Sequence, residues 1–424
     1  MNSAPAVSVQ PRTPPGPPAR SLQLRLAGFA VLWLGVFAFW PQAFFATGVN
    51  HLGLWFLDTY AILASNDAVA RGLDPYVPNN LDVFHRPHVY SSWWLHLHSF
   101  GLTRAHVLWV GGALVAAFLV VALRFLRPRA PGEMVAQLAV LLSSPVLLAL
   151  DRANNDLIVF VLLAAVVPCL TSRHAGWRFL AAVPIAVAAG LKYYPAVAGC
   201  LVLVGGDRRE VWQRTAVTLA LFGVVALSLA PDLGRLGGLV PKAEGLMTFG
   251  GSNLFEALGL TGRAALFSGL LLAGVIAAAF LRSRIFQGWK ISPGEERAWL
   301  SFLLGALLLT GCFVTGTSYA YRWIFAIWMT PLLWALPRDP SAPRRVRQLA
   351  AVTAGLLIFV LWSDAVVSAF LSRFMTQIPP GDLVRLADKL FYFEQPIIWL
   401  FFACLIGFLS HFARERWAAL RPRG

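Results

Sequence analysis

The stretch 264–281, AALFSGLLLAGVIAAAFL, decides the fold class, because it contains no charged side chain. A helix of about 20 apolar residues crosses the roughly 30 Å hydrocarbon core of a bilayer. Similar runs recur along the chain at 26–47, 106–126, 217–230, 298–315, 352–371 and 397–412. The sequence therefore predicts an all-α, polytopic integral membrane protein.

The composition supports this prediction and disfavours a nucleic-acid-binding protein. Hydrophobic residues make up 58% of the chain and charged residues 13%, whereas soluble domains carry about 25% charged residues. The net charge of +15 comes mainly from arginines in short loops between apolar runs, as expected of cytoplasmic loops. No contiguous basic face with interleaved aromatic residues is present. The four cysteines lie far apart and lack metal-ligand spacing.

The charge distribution also predicts a topology of about twelve membrane helices with both termini inside. One apolar stretch, 179–204, separates two basic loops that are both expected inside. Its centre, 190–195, reads GLKYYP, and a Gly, a Lys and a Pro at that depth interrupt a helix. We therefore expect a broken pair of short helices, 179–190 and 195–204, with Lys192 and Tyr193 at the outer tip.

The expected organisation is one transmembrane domain, 23–412, between two tails. The Pro-rich segment 1–22 is expected to be a disordered cytoplasmic tail, and 413–424 a basic cytoplasmic tail. External segments are expected at about 48–105 and about 232–263.

The first external segment carries two candidate carboxylates. Apolar residues at helical spacing predict a helix across 51–65 that lies at the outer interface. Asp58 is then either a solvated interfacial carboxylate or a general base. Asp74 lies in a Gly-Leu-Asp-Pro-Tyr turn, where a structural role is common.

Three further polar clusters interrupt apolar sequence. The segment 151–156, DRANND, is either a turn capped by Asn155 or a functional loop. Lys192 is either functional or snorkels to the interface. Arg322, at the end of TSYAYR (317–322), leads an apolar helix and needs an anionic partner.

The topology places one carboxylate and three cations outside, near one membrane depth: Asp58, Arg152, Lys192 and Arg322. Such a set suits a site in which a base deprotonates an alcohol while cations hold a phosphate leaving group.

The ordered motifs GLDPY, DRANND, LKYYP and TSYAYR resemble those of the C-type (GT-C) membrane glycosyltransferases, specifically glycosyltransferase family 87, the polyprenol-phosphate-mannose-dependent α-mannosyltransferases. This resemblance implies a GT-C-like fold in a bacterial inner membrane, with the active site facing the periplasm. The implied reaction moves a hexose, mannose by default, from a polyprenyl-phosphate sugar to a hydroxyl of an external glycan or glycolipid, by inverting single displacement.

The resemblance also implies roles for individual residues. Asp58 is the expected base, with Asp74 as its rival, and Arg152, Lys192 and Arg322 are expected to bind the donor phosphate. Further candidate substrate-binding residues are Asp74, Tyr76, Asn154, Asn155, Asp156, Tyr193, Tyr319 and Tyr321.

Two alternative functions stay open at this point: a transporter or lipid flippase, and a non-catalytic member of the same fold. A transporter or lipid flippase also uses broken helices and intramembrane charges, but it needs polar residues through both leaflets.

We predict no cofactor and no metal, because three cations neutralise a monophosphate. The histidines His85, His88, His96 and His98 are the candidate ligands if a metal is bound.

Overall fold

The computed structural model describes residues 20–236, 239, 243, 245–291, 293–374 and 378–420. The tail expected at 1–22 lies almost wholly outside the described residues, as do residues 421–424. Near the C-terminus, the last helix continues to Leu420 through most of the segment expected as a basic tail.

Seven helices of the described chain are long and apolar enough to cross a membrane, and each overlaps one of the seven apolar runs. They are α1 (Arg20–Phe39), α3 (Val107–Phe125), α10 (Arg208–Leu236), α12 (Gly262–Arg282), α13 (Glu296–Val314), α15 (Arg344–Phe374) and α16 (Pro380–Leu420). The helices α4 (Pro131–Leu141) and α5 (Ser144–Arg152) meet at 49° and together form an eighth candidate span. The prediction of an all-α polytopic membrane protein is confirmed.

Shorter apolar helices complete the bundle. They are α6 (Asp156–Leu163), α7 (Val166–Leu170), α8 (Ala175–Leu180), α9 (Ala182–Leu191), α14 (Thr330–Ala335) and the 3₁₀ helices Tyr194–Leu203 and Ala320–Trp328. Further 3₁₀ turns lie at Pro41–Thr47, Ser92–Phe100, Arg104–His106, Pro293–Glu295 and Leu336–Arg338.

The predicted helix break occurs at Lys192. Helix α9 ends at Leu191, the next helix begins at Tyr194, and the backbone of Lys192 is extended. The two helices pack against each other and against α10. The second is a 3₁₀ helix that carries Pro195 in its first turn, where a missing N–H costs no helical hydrogen bond.

Burial separates central from peripheral helices. In the most apolar 18-residue stretch of α13, 67% of the residues are buried, compared with 11% in the corresponding stretch of α12. Stacked aromatic rings fill the centre, such as Phe313 on Phe402 at 3.8 Å between ring centroids. The exposed apolar surface of the peripheral helices is what hydrocarbon solvent requires.

The interfacial helix predicted across 51–65 begins later than expected. Helix α2 spans Leu57–Ala70, because Gly53 and Phe56 adopt left-handed backbone conformations at φ 78° and 62°. Asp58 and Ser65, which are seven residues apart on one face of this helix, are both buried. The helix packs against Ser92–Phe100 and α5 and is therefore part of the protein interior.

The second external segment contains β1 (Thr248–Gly250) and α11 (Asn253–Ala257). Strand β1 pairs antiparallel with β2 (Thr317–Tyr319), which joins this segment to the TSYAYR motif. A Cβ on Gly250 would lie 2.4 Å from the carbonyl oxygen of Gly316, so the close approach of the strands requires glycine.

Candidate active site

Asp58 lies in the first turn of α2 and is only 5% exposed. Three hydrogen bonds attach the chain around it to the 151–154 turn. The Phe56 N–H donates to the Asp151 carbonyl at 2.8 Å, the Thr59 hydroxyl donates to the Ala153 carbonyl at 2.8 Å, and His51 Nδ1 lies 2.6 Å from Asp151 Oδ1. The Asp58 carboxylate is therefore fixed against this turn, and the solvated alternative does not hold.

The 151–156 turn connects α5 to α6 through a left-handed residue, Ala153 at φ 39°. The side chain of Asn154 caps α6, since its Oδ1 accepts the Asp156 N–H at 2.9 Å. The sequence had suggested Asn155 for this role. Asn155 instead buries an amide whose oxygen and nitrogen have no hydrogen-bond partner among the described residues.

Asn154 links the carboxylate of Asp58 to the ammonium of Lys192. Its Nδ2 donates to Asp58 Oδ2 at 2.6 Å, and its Oδ1 accepts from Lys192 Nζ at 3.1 Å. Lys192 also forms an ion pair with Asp156 at 2.5 Å, and the Tyr194 hydroxyl donates to Asp156 at 2.7 Å. The helix break thus faces the 151–156 turn.

Arg322 completes the arrangement from the other side. Its Nε lies 3.9 Å from Asp156 Oδ2, its guanidinium covers the Tyr194 ring at 4.6 Å, and it donates a hydrogen bond to Ser318 of β2. Asp156 is therefore the nearest anion to Arg322.

Two arginines approach Asp58 more loosely. Arg152 Nη1 lies 3.9 Å and Arg86 Nη1 4.0 Å from Asp58 Oδ1. Arg86 is held by Asp82, with Nη2–Oδ2 at 2.7 Å, and it donates to the Leu57 carbonyl at 3.1 Å. The sequence reading missed this pair, although Asp82 and Arg86 have the four-residue spacing of a local ion pair.

Tyrosine rings form a wall beside Lys192. The ammonium lies 5.1 Å from the ring centre of Tyr321 and 5.9 Å from that of Tyr90, and Tyr319 stacks on Tyr321 at 5.5 Å. Burial, followed by the negative charge of Asp58, raises the pKa of Tyr90 well above its ordinary value. The Tyr90 phenol therefore stays protonated and available as a hydrogen-bond donor.

We define the charge cluster as Asp58, Arg152, Asn154, Asp156, Lys192 and Arg322. It holds three cations and two carboxylates, whereas Asp151 has its own partner in His51. Three charged-group atoms in it have no hydrogen-bond partner in the described part of the chain: Arg152 Nε, Arg322 Nε and Asp156 Oδ2. Buried polar groups are normally paired, so an excess of cations with open positions is suited to an incoming anion.

The other predicted residues lie apart from this cluster. Asp74 is exposed, and its Oδ1 accepts the Tyr76 N–H at 2.9 Å, which is an Asx turn. The Tyr76 hydroxyl lies 3.3 Å from Asp232 Oδ1. Tyr193 is 44% exposed beside Lys192, and burial, followed by the charge of Asp232, raises its pKa. Tyr76 and Tyr193 are near each other, since both interact with the charge of Asp232, and they form the rim of the site.

Within the described ranges, no three His, Cys, Asp or Glu side chains lie together as metal ligands. Three of the four candidate histidines contact main-chain carbonyls instead: His85 that of Asn79, His88 that of Ser91 and His98 that of Leu95.

Comparisons with known proteins place the chain in a family. The solved structure of ArnT from Cupriavidus metallidurans in the apo state aligns with 90% of this chain and 77% of its own, with 13% identity and a TM-score of 0.36. No curated protein sequence matches the chain. The model of glycosyltransferase family 87 matches residues 92–316, which include Arg152 and Lys192 but not Asp58 or Arg322. That match covers more than half of the sequence, and the chain therefore belongs to glycosyltransferase family 87.

Proposed function

We propose that this membrane glycosyltransferase transfers a hexose, with mannose as the family default, from a polyprenyl-phosphate sugar to a hydroxyl of an external glycan or glycolipid. The observation that carries the proposal is the Asn154 bridge, which holds Asp58 and Lys192 at opposite ends of one amide. A candidate base and a candidate phosphate-binding cation thus share one buried site.

The donor phosphate lies among Arg152, Lys192 and Arg322. Both arginines have an Nε without a hydrogen-bond partner among the described residues, and guanidinium groups bind phosphate oxygens in a fixed geometry. Asp156 keeps Lys192 and Arg322 together before the donor arrives. The three cations then stabilise the charge that develops on the phosphate as the glycosidic bond breaks.

Asp58 acts as the general base. Its Oδ2 is occupied by Asn154, whereas its Oδ1 has only two distant arginine contacts at about 4 Å, so Oδ1 is the atom that accepts the acceptor hydroxyl proton. The acceptor oxygen attacks the anomeric carbon, the bond from that carbon to the phosphate oxygen breaks, and polyprenyl phosphate leaves. A single displacement of this kind inverts the anomeric configuration.

The acceptor enters over the rim that contains Tyr76 and Tyr193. Exposed aromatic rings suit a sugar, because they cover its apolar face. Asp232 accepts the Tyr76 hydroxyl and holds that ring in place. We place this rim on the periplasmic side of a bacterial inner membrane, opposite the arginine-rich loops.

The test is transfer by purified protein in liposomes, supplied with radiolabelled polyprenyl-phosphate sugars one at a time and with glycan acceptors. We expect a labelled glycan from one hexose donor with the wild-type protein and none with Asp58→Asn, while Asp58→Asn still binds the donor. Asp74→Asn is the matched control and should stay active. A protein that moves the labelled lipid across the bilayer without acceptor, and does so equally with Asp58→Asn, is a flippase and contradicts the proposal.

A further inference from the structure

An apolar groove lies far from the charge cluster, between α4, α14 and α15. Its volume is about 420 Å³, which is within the range of about 300–1,000 Å³ of small-molecule sites. Its walls include Val140 of α4 and Leu333 and Trp334 of α14.

The floor of the groove is the small-residue face of α15. Ala351, Ala354, Gly355 and Ile358 line it, and Ala351 and Gly355 are exposed. A Cβ on Gly355 would meet nothing within 4 Å. The groove is therefore open along a membrane helix, where hydrocarbon chains are the solvent.

Cations gather at one end of this groove. Arg338 is among the lining residues, and its guanidinium lies 4.3 Å from the Trp334 ring centre while it donates to the Trp334 carbonyl at 2.7 Å. Arg344 and Arg347 precede Ala351 by seven and four residues, so they share its face of α15. The Nε of Arg347 is buried without a hydrogen-bond partner among the described residues.

This end lies opposite the charge cluster. Farther along α15, Asp364 accepts the Met247 N–H from the segment before β1, and β1 pairs with β2 next to Arg322. From Arg347 to Asp364 the helix rises by about 25 Å, at 1.5 Å per residue. The basic end of the groove is therefore near the leaflet that the arginine-rich loops assign to the cytoplasm.

We propose that this groove binds one anionic phospholipid of the cytoplasmic leaflet, with an acyl chain along Gly355 and Ala351 and the phosphate between Arg338 and Arg347. The charge complementarity favours an anionic headgroup, since basic residues at this depth attract anionic lipids. Its distance from Lys192 and Arg322 argues against the sugar donor as the occupant. The proposal does not depend on the transferase reaction.

The test is native mass spectrometry of delipidated protein, titrated with phosphatidylglycerol or with phosphatidylcholine of the same acyl chains. Both lipids offer a phosphate to the arginines, but the choline of phosphatidylcholine offsets the phosphate charge, so we expect one phosphatidylglycerol to bind about tenfold more tightly. Gly355→Leu, which fills the groove, should remove this site. Gly274→Leu is the matched control, since Gly274 is also an exposed membrane-helix glycine with open space.

The headgroup is tested separately. Arg338→Gln combined with Arg347→Gln should reduce phosphatidylglycerol binding to the phosphatidylcholine level, whereas Arg345→Gln, on another face of α15, should not. Equal binding by both glycine variants, equal binding of the two lipids to the wild type, or displacement of phosphatidylglycerol by equimolar polyprenyl phosphate would each overturn the proposal. Gel filtration of every variant establishes that it is folded.

Discussion

The first external segment contributes to two polar clusters that differ in how they are satisfied. The charge cluster joins residues that are 38 to 166 positions apart in sequence and leaves three charged-group atoms without a hydrogen-bond partner among the described residues. The second, which we define as the Tyr76 cluster, contains Tyr76, His88, Ser92 and Asp232. There one carboxylate accepts from two neutral donors, the Tyr76 hydroxyl and the Ser92 N–H at 2.9 Å.

Under the proposed function, this difference separates a site that binds a ligand from one that supports a loop. An excess of buried cations is stable only when an anion arrives or water compensates. In the Tyr76 cluster the carboxylate has two donors, and the one open atom, His88 Nδ1, belongs to a neutral ring. Variants in the two clusters should therefore affect different properties: turnover in the first, and stability in the second.

The largest effect is expected from Asp58→Asn. A general base contributes about 10²- to 10⁴-fold to a rate, so kcat should fall by about a thousandfold while donor affinity changes little, because Asn154 can still donate to an amide oxygen. Transfer assays and donor binding at equilibrium measure the two quantities. If Asp58→Asn keeps more than a tenth of the wild-type rate, the distinction between the clusters fails.

Lys192→Met should come next. Loss of one preorganised charge beside a leaving group costs about 10²- to 10³-fold in kcat. The variant leaves Asp156 buried without its nearest cation, so a folding defect must be separated from a catalytic one. The double variant Lys192→Met with Asp156→Asn removes that unpaired charge, and it should recover thermal stability without recovering turnover. Recovery of turnover would assign Lys192 a structural role only.

Asp82→Asn should have an intermediate effect. It weakens the bidentate restraint on Arg86 and allows the guanidinium to move from 4.0 Å to direct contact with Asp58. A carboxylate in such an ion pair is a poorer base, so kcat should fall about tenfold. The fall should not exceed about a hundredfold, which is the smallest effect expected from losing a general base completely. Arg86→Gln in the same background should restore part of the rate. An unchanged rate in Asp82→Asn would show that Arg86 is fixed by the Leu57 carbonyl alone.

His88→Gln tests the Tyr76 cluster through pH. Burial lowers the pKa of His88 to about 4, from about 6.5 in an unfolded chain. Between these values the unfolded chain binds a proton that the folded protein does not, so His88 destabilises the fold as pH falls from 6.5 toward 4. The fall in melting temperature between pH 7.5 and 5 should be smaller in His88→Gln, with transfer at pH 7.5 unchanged within about twofold. Equal falls would contradict this assignment.

The smallest effect is expected from Asp74→Asn, because asparagine caps the same Asx turn. Transfer should stay within about threefold of the wild-type rate. A loss comparable to that of Asp58→Asn would indicate that Asp74 acts as the base, and the charge cluster would then not contain the catalytic carboxylate.

The seven long membrane helices could be predicted because a bilayer imposes one length on each apolar run that crosses it. The predicted total of about twelve could not be read in the same way, because the shorter apolar helices do not have that length. The break at Lys192 could be predicted for a similar reason, since Gly190 and Pro195 act locally. The pairing of β1 with β2 could not, because two strands of three residues carry no periodic pattern. Likewise, the start of α2 depends on the left-handed Phe56, whose ring fits against Gly111 of α3.

Within the site, the sequence identified the charged residues but not their partners. Asp58, Arg152, Lys192 and Arg322 were grouped by topology, and the structure brings them around Asn154 and Asp156. The contact of Tyr194 with Asp156 and the clamp of Asp82 on Arg86 depend on tertiary packing. Asn154 and Asn155 could not be distinguished, because both are asparagines and asparagine is a common helix cap.

The amide of Asn154 has a direction, and the main chain sets it. Its oxygen accepts the main-chain N–H of Asp156, a group that every residue except proline supplies, so the nitrogen must point toward residue 58. Only an acceptor is accommodated there, and only a donor is accommodated at residue 192. Exchanging the acid and the base between these two positions would therefore not give a mirror-image site, since the backbone permits one order of charges.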